Sequence, residues 1–133
     1  MNTRTFFRQL TVSVLAVVFS SCAFCQMEND FVTLDFARKE LEAGKVTLID
    51  VREPLEHATG VAKGARLLPM RHIGSRMREI PDDPKRPVLL ICNTQNRSSA
   101  TLKMLRDKGY KNVHYVQGGM SEWNRRGWPV IQP

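Results

Sequence analysis

The residues best suited to chemistry lie in one stretch, Pro87 to Gly109, PVLLICNTQNRSSATLKMLRDKG. An apolar run from Val88 to Ile91 ends in Cys92. Four polar residues follow, Asn93, Thr94, Gln95 and Asn96, and then Arg97 and Ser98 open a segment of helical character. A cysteine thiol is a weak nucleophile until it ionises. Backbone N–H groups at a helix N-terminus, together with an arginine, favour the thiolate of a cysteine held beside them. The same donors suit an anion bound next to the sulfur. The stretch therefore reads as a strand, a tight loop and a helix start that activate Cys92 and cradle an anionic substrate. Thr94 and Ser98 add hydroxyls suited to hydrogen-bond a terminal sulfur or oxygen atom.

Other chemistries find less support. No histidine sits in or next to the loop, which argues against a Cys-His protease. His57, His72 and His114 lack the spacing of a metal-ligand set and read as surface or satisfied histidines. No metal and no cofactor is expected.

The elements that must position this loop alternate along the chain. Phe31 to Thr33 is a short strand candidate. A helix from Phe36 to Ala43 is expected, with Asp35 as its cap and Gly44 just beyond its end. Val46 to Ile49 is a continuous apolar run ending at Asp50, as in a strand buried on both faces. Leu55 to Thr59 has helical character, and Ala65 to Leu68 is a further short strand. From Arg71 to Ile80 the apolar residues Ile73, Met77 and Ile80 recur at helical spacing, which predicts one amphipathic helix. The proline-rich Pro81 to Pro87 is a loop. Val88 to Ile91 is the most apolar strand. The helix after it places Ala100, Thr101, Met104 and Leu105 on one face and stops at Gly109. Val113 to Val116 is the last strand, and Gly118-Gly119 turn the chain into a short helix over Met120 to Arg126.

Short apolar strands alternating with helices predict an α/β domain with a mainly parallel sheet of about five strands, flanked by helices in three layers. Ligands of such sheets bind outside the carboxyl ends of the strands. Asp50, Cys92 and Gln117 stand at strand ends, so their segments are expected to converge on one edge.

Composition sets outer bounds. The 133 residues are 42% hydrophobic and 25% charged, as in one ordinary globular domain. The net charge is +7. The basic residues are scattered, with no long basic run and no aromatics interleaved with basics, so nucleic acid is not an expected partner. A small anion gains modestly from the same field.

The first 26 residues read as a secretory signal. Arg4 and Arg8 form its positive region, Leu10 to Phe19 its apolar region, and Ser20, Ser21 and Ala23 the small residues near a cleavage site. The apolar run is shorter than the roughly 20 residues of a membrane-spanning helix. Residues 27–133 then form the exported domain, with the periplasm as the expected location. Phe19-Ser20-Ser21-Cys22 also resembles a bacterial lipobox. Lipidation at Cys22 is the alternative, and the only route by which a membrane is expected as partner. The chain has three cysteines, Cys22, Cys25 and Cys92. Cleavage after Cys25 leaves Cys92 as a lone thiol without a disulfide partner, which marks it as reactive. The competing reading is a small buried hydrophobe at the end of a core strand.

Four segments together resemble the single-domain rhodanese family of thiosulfate-type sulfurtransferases. Leu48 to Glu53, LIDVRE, is similar to the family's DVR strand end. Gly60, Gly64, Ala65 and Pro69 match its G-x-x-x-G-A-x-x-x-P stretch. Cys92-x4-Arg97-Ser98 is similar to its active-site loop, and Gly118-Gly119-Met120-x-x-Trp123 to its C-terminal turn. The resemblance runs from Phe31 to Pro133 and points to an exported bacterial member. It implies a ping-pong reaction in which Cys92 takes the outer sulfur of thiosulfate or a similar small anionic donor as a persulfide. It then passes that sulfur to cyanide or a thiol. Residues 93–98 would bind the substrate, Arg97 anchoring the loop or the anion, and Asp50 and Arg52 would form a supporting ion pair. A monomer is expected.

The chain departs from the family's pattern at Asn93, where arginine is frequent, and at Gln95, where glycine is frequent. A positive φ at Gln95 would cost about 1 kcal/mol. Gly60-Val61-Ala62 replaces the frequent Gly-His-Ile, and His57 stands where an aromatic is common. Two other readings compete. One is a non-catalytic module that binds or carries persulfide. The other is a cysteine-loop phosphatase or arsenate reductase, whose loop has five residues between cysteine and arginine; the four found here suit a single sulfur better.

Overall fold

The computed structural model describes residues 29–133. The signal segment expected over residues 1–26, with Cys22 and Cys25, lies outside the described residues. Five strands form one sheet in the order β1-β5-β4-β2-β3. They are β1 (Phe31–Val32), β2 (Thr47–Asp50), β3 (Arg66–Leu67), β4 (Val88–Ile91) and β5 (Val113–Val116). All four pairings are parallel. β4 sits in the middle, and all four of its residues are buried. That burial explains why it reads as an unbroken apolar run rather than an alternating one.

Helices cover both faces. On one face Leu48, Leu89, Ile91 and Val116 pack against α1 (Leu34–Glu42) and α5 (Gly119–Arg125) through Ala37, Met120 and Trp123. On the other, Ile49, Leu90, Cys92 and Val113 pack against α4 (Asn96–Asp107) through Leu102 and Leu105 and against Ile73 and Ile80. The three-layer α/β domain expected from the sequence is the fold. Because every strand runs the same way, the carboxyl ends of β2, β4 and β5 lie on one edge, and Cys92 follows β4 there.

Local differences have local causes. α1 starts two residues early because Thr33, not Asp35, is its cap: the Thr33 hydroxyl accepts the Phe36 N–H at 3.2 Å. Asp35 instead lies in the first turn and pairs with Arg126 at 2.9 Å. Gly44, at φ 69°, leads the chain away from this helix. The helix expected over 71–80 is a single α-turn, α3 (Ile73–Arg76), between 3₁₀ turns at Met70–His72 and Met77–Glu79. Arg76 leaves helical geometry at φ −116°, ψ 21°, and Gly74 lowers the propensity of the segment. α2 (Pro54–His57) begins on the proline, whose missing N–H costs nothing at a first helical position. In α4 the buried face carries Ser98, Thr101, Leu102 and Leu105, whereas Ala100 is exposed. No described helix is long and apolar enough to cross a membrane.

Candidate active site

α5 holds the backbone of the Cys92 loop from behind. The Met120 N–H donates to the Cys92 carbonyl and the Ser121 N–H to the Asn93 carbonyl, each at 2.8 Å. The first N–H groups of a helix have no intrahelical acceptor, and here the loop supplies one for each of these two. A trans peptide points its C=O and N–H in opposite directions. The N–H groups of Asn93 and Thr94 therefore face away from α5. Among the described residues, no backbone N–H from Asn93 through Ser98 has a protein acceptor. The loop is thus a strip of free donors with its carbonyls turned outward.

Gly119 makes this packing possible. It sits at φ 58°, and a Cβ there would lie 2.4 Å from the carbonyl oxygens of Cys92 and Thr94 and 2.6 Å from that of Asn93. No larger residue fits between α5 and the loop without displacing one of them.

The thiol lies beneath the loop. Cys92 is free and buried, while Asn93, Thr94, Gln95 and Asn96 are exposed above it. Cys92 Sγ is 3.4 Å from the Ser98 hydroxyl, and that hydroxyl also donates to the Gln95 carbonyl at 3.1 Å. Gln95 takes φ −160°, outside the left-handed region, so the strain its substitution for glycine would cause at positive φ is absent. α4 begins at Asn96, one residue before Arg97.

Arg97 is engaged by a residue that sequence reasoning did not single out. Its Nη1 and Nη2 donate to the Glu56 carboxylate of α2 at 2.5 and 2.6 Å. Such a two-point guanidinium–carboxylate contact is among the stronger and more directional ion pairs. The Arg97 hydrogen bonds hold the Glu56 carboxyl at about 2, well below its usual range, against the opposing pull of partial burial. Glu56 in turn raises the guanidinium above its ordinary value. Glu56 also accepts the Glu53 N–H at 2.9 Å, closing a capping box at the start of α2. The Glu-x-x-Glu spacing signals that cap in sequence. Nothing in the sequence signals a partner 41 positions away.

Asp50 and Arg52 form a buried ion pair at 2.7 Å at the end of β2, where Asp50 stands opposite Ile91. The Arg52 Nη2 also donates to the Gly60 carbonyl at 2.9 Å. His57 is buried with its Nε2 3.5 Å from Asp50 Oδ1 and no hydrogen-bond partner. His114 is likewise buried rather than surface: its Nδ1 meets the Asn29 carbonyl at 2.8 Å, and desolvation pushes its pKa down.

These features define a class: a parallel α/β domain with one cysteine beneath an N–H-lined loop at the sheet's carboxyl edge. Residues 33–126 match the model of the rhodanese-like domain, and the chain belongs to that family. It is 35% identical over 107 residues to a sulfurtransferase of Allochromatium vinosum, spanning 80% of this chain and 98% of that one. It is 31% identical over 116 residues to an uncharacterized protein of Bacillus subtilis, spanning 86% of this chain and 89% of that one. Among solved structures, a rhodanese-related protein of Thermoplasma volcanium superposes with a TM-score of 0.70 at 25% identity, over 79% of this chain and all of that one.

Proposed function

We propose that the protein is a sulfurtransferase that moves a sulfane sulfur from a donor to a nucleophilic acceptor through a Cys92 persulfide. The observation that carries this reading is a free cysteine beneath a strip of unpaired backbone N–H groups. The name of the Allochromatium relative supports the reaction class. In the first half-reaction the Cys92 thiolate attacks the outer sulfur of a donor such as thiosulfate. The S–S bond of the donor breaks, and sulfite leaves with the electron pair. The free N–H groups stabilise the charge that now sits on the outer sulfur of the persulfide. In the second half-reaction cyanide or a thiolate attacks that sulfur and the Cys92 thiolate departs. The residues present supply this chemistry without a cofactor. The leader-like residues 1–26 support placing the reaction outside the cytoplasm.

Intact mass spectrometry tests the reading. After incubation with thiosulfate, a thiosulfonate or glutathione persulfide, the wild-type protein gains the mass of one sulfur atom, and cyanide removes it as thiocyanate. Cys92→Ser gains nothing. A wild-type protein left unmodified by every donor would overturn the catalytic reading in favour of a non-catalytic binding module.

A further inference from the structure

We propose that Glu56 is a positioning residue for the transfer reaction: from α2 it holds the Arg97 side chain at two points and so fixes the far end of the Cys92 loop. The proposal rests on the sulfurtransferase reading above, and it assigns Arg97 to the loop rather than to the substrate.

The loop has two ends, and a different element holds each. At the Cys92 end, α5 donates the Met120 and Ser121 N–H groups to the carbonyls of Cys92 and Asn93. At the other end Arg97 stands in the first turn of α4. Its Nη1 and Nη2 reach the two carboxylate oxygens of Glu56 at 2.5 and 2.6 Å. Between these clamps the Ser98 hydroxyl ties α4 back to the Gln95 carbonyl at 3.1 Å.

Glu56 is oriented by its own segment. Its Oε2 accepts the Glu53 N–H at 2.9 Å within the capping box, and Pro54 restricts the backbone where α2 begins. Arg52, buried against Asp50, donates to the Glu56 carbonyl at 3.4 Å and to the Gly60 carbonyl at 2.9 Å. α2 is thereby tied to the end of β2. The carboxylate is a fixed point, and Arg97 is the side chain that conforms to it. A two-point contact sets direction as well as distance, which a lysine at 97 would not reproduce.

The reaction is sensitive to this end of the loop because backbone N–H groups stabilise charge only when they are aimed at it. A misplacement of about 1 Å can cost about a hundredfold in rate. If Arg97 gripped the donor instead, it would have to leave Glu56, whose carboxyl that same contact holds at about 2.

The test is single-turnover loading of Cys92 over a range of donor concentrations, read by quenched mass spectrometry, with thiosulfate and glutathione persulfide as the probes. Wild type, Glu56→Gln, Arg97→Lys and the double variant are compared, with the folded fraction of each taken from urea unfolding. At saturating donor each single variant is expected to load about tenfold more slowly or worse, with the half-saturating concentration nearly unchanged. The double variant is expected to be no slower than the slower single one, because both changes break one contact. A half-saturating concentration that falls in Glu56→Gln and rises in Arg97→Lys would place Arg97 on the donor and overturn the proposal. Full-rate loading in Glu56→Gln, slowing no greater than the loss of folded protein, or single effects that multiply in the double variant would overturn it too. Each of these leaves the sulfurtransferase reading intact. A wild type loaded by neither probe overturns both.

Discussion

Gly119 packs against the backbone of Cys92: the Cβ it lacks would fall 2.4 Å from the carbonyl oxygen of Cys92. Three loop carbonyls crowd the same point, and the two N–H groups that follow in α5 bind two of them. The glycine pair thus serves the loop more than the helix. It lets α5 approach close enough to bind the loop carbonyls and leave the N–H groups of Asn93 and Thr94 facing away from it.

Gly119→Ala is therefore expected to move the loop off α5. The clash is with backbone, which cannot rotate away, and the positive φ adds to it. We expect a loss of stability of about 2 kcal/mol or more, read from urea unfolding. We also expect Cys92 persulfidation to fall further than the folded fraction does. Full persulfide yield in a folded Gly119→Ala protein would show that the loop needs no support from α5.

Much of this architecture is legible in the sequence because it depends on local signals. β4 announces itself as VLLI since a central parallel strand is apolar on both faces. The cysteine at its end and the helix after it then locate the candidate site. What could not be read are partners chosen in three dimensions. Glu56 looks like a solvated acid on a short helix until the fold sets it against Arg97. The 71–80 segment has the period of a helix, but its packing and Gly74 break it into single turns. Thr33 and Asp35 both suit a helix cap, and the hydrogen bond to Phe36 decides between them.

The Asp50–Arg52 pair is expected to matter through the cost of breaking it. Arg52 donates to both Asp50 oxygens and to the Gly60 carbonyl. Both side chains are almost wholly excluded from water. Asp50→Asn leaves a buried guanidinium uncompensated, which costs about 3–5 kcal/mol. Replacing both together, as in Asp50→Leu with Arg52→Met, removes the charges as well as their attraction and is expected to cost less than the single change. Urea midpoints of the three proteins measure this. A double variant less stable than Asp50→Asn would mean that the pair contributes more than the desolvation it suffers.

The Glu56–Arg97 contact carries a pH signature of definite sign. The Glu56 carboxyl is depressed from 4.5 to about 2. The folded state therefore binds this proton more weakly than the unfolded chain does. The stability it contributes is fully present above the unfolded value and is lost as pH falls toward about 2. Glu122 is also held at about 2, by Arg125 and Arg126, so the wild-type curve alone does not isolate Glu56. The difference between wild type and Glu56→Gln does, because Glu122 titrates in both. The stability gap between them is expected to be largest near neutral pH, to shrink through the acid range and to close near pH 2. Both carboxyl and guanidinium are about one-third exposed, so solvent screening keeps the gap modest and high salt narrows it further. A gap that stays constant from neutral pH to pH 3 would mean that Glu56 contributes through packing rather than through its charge.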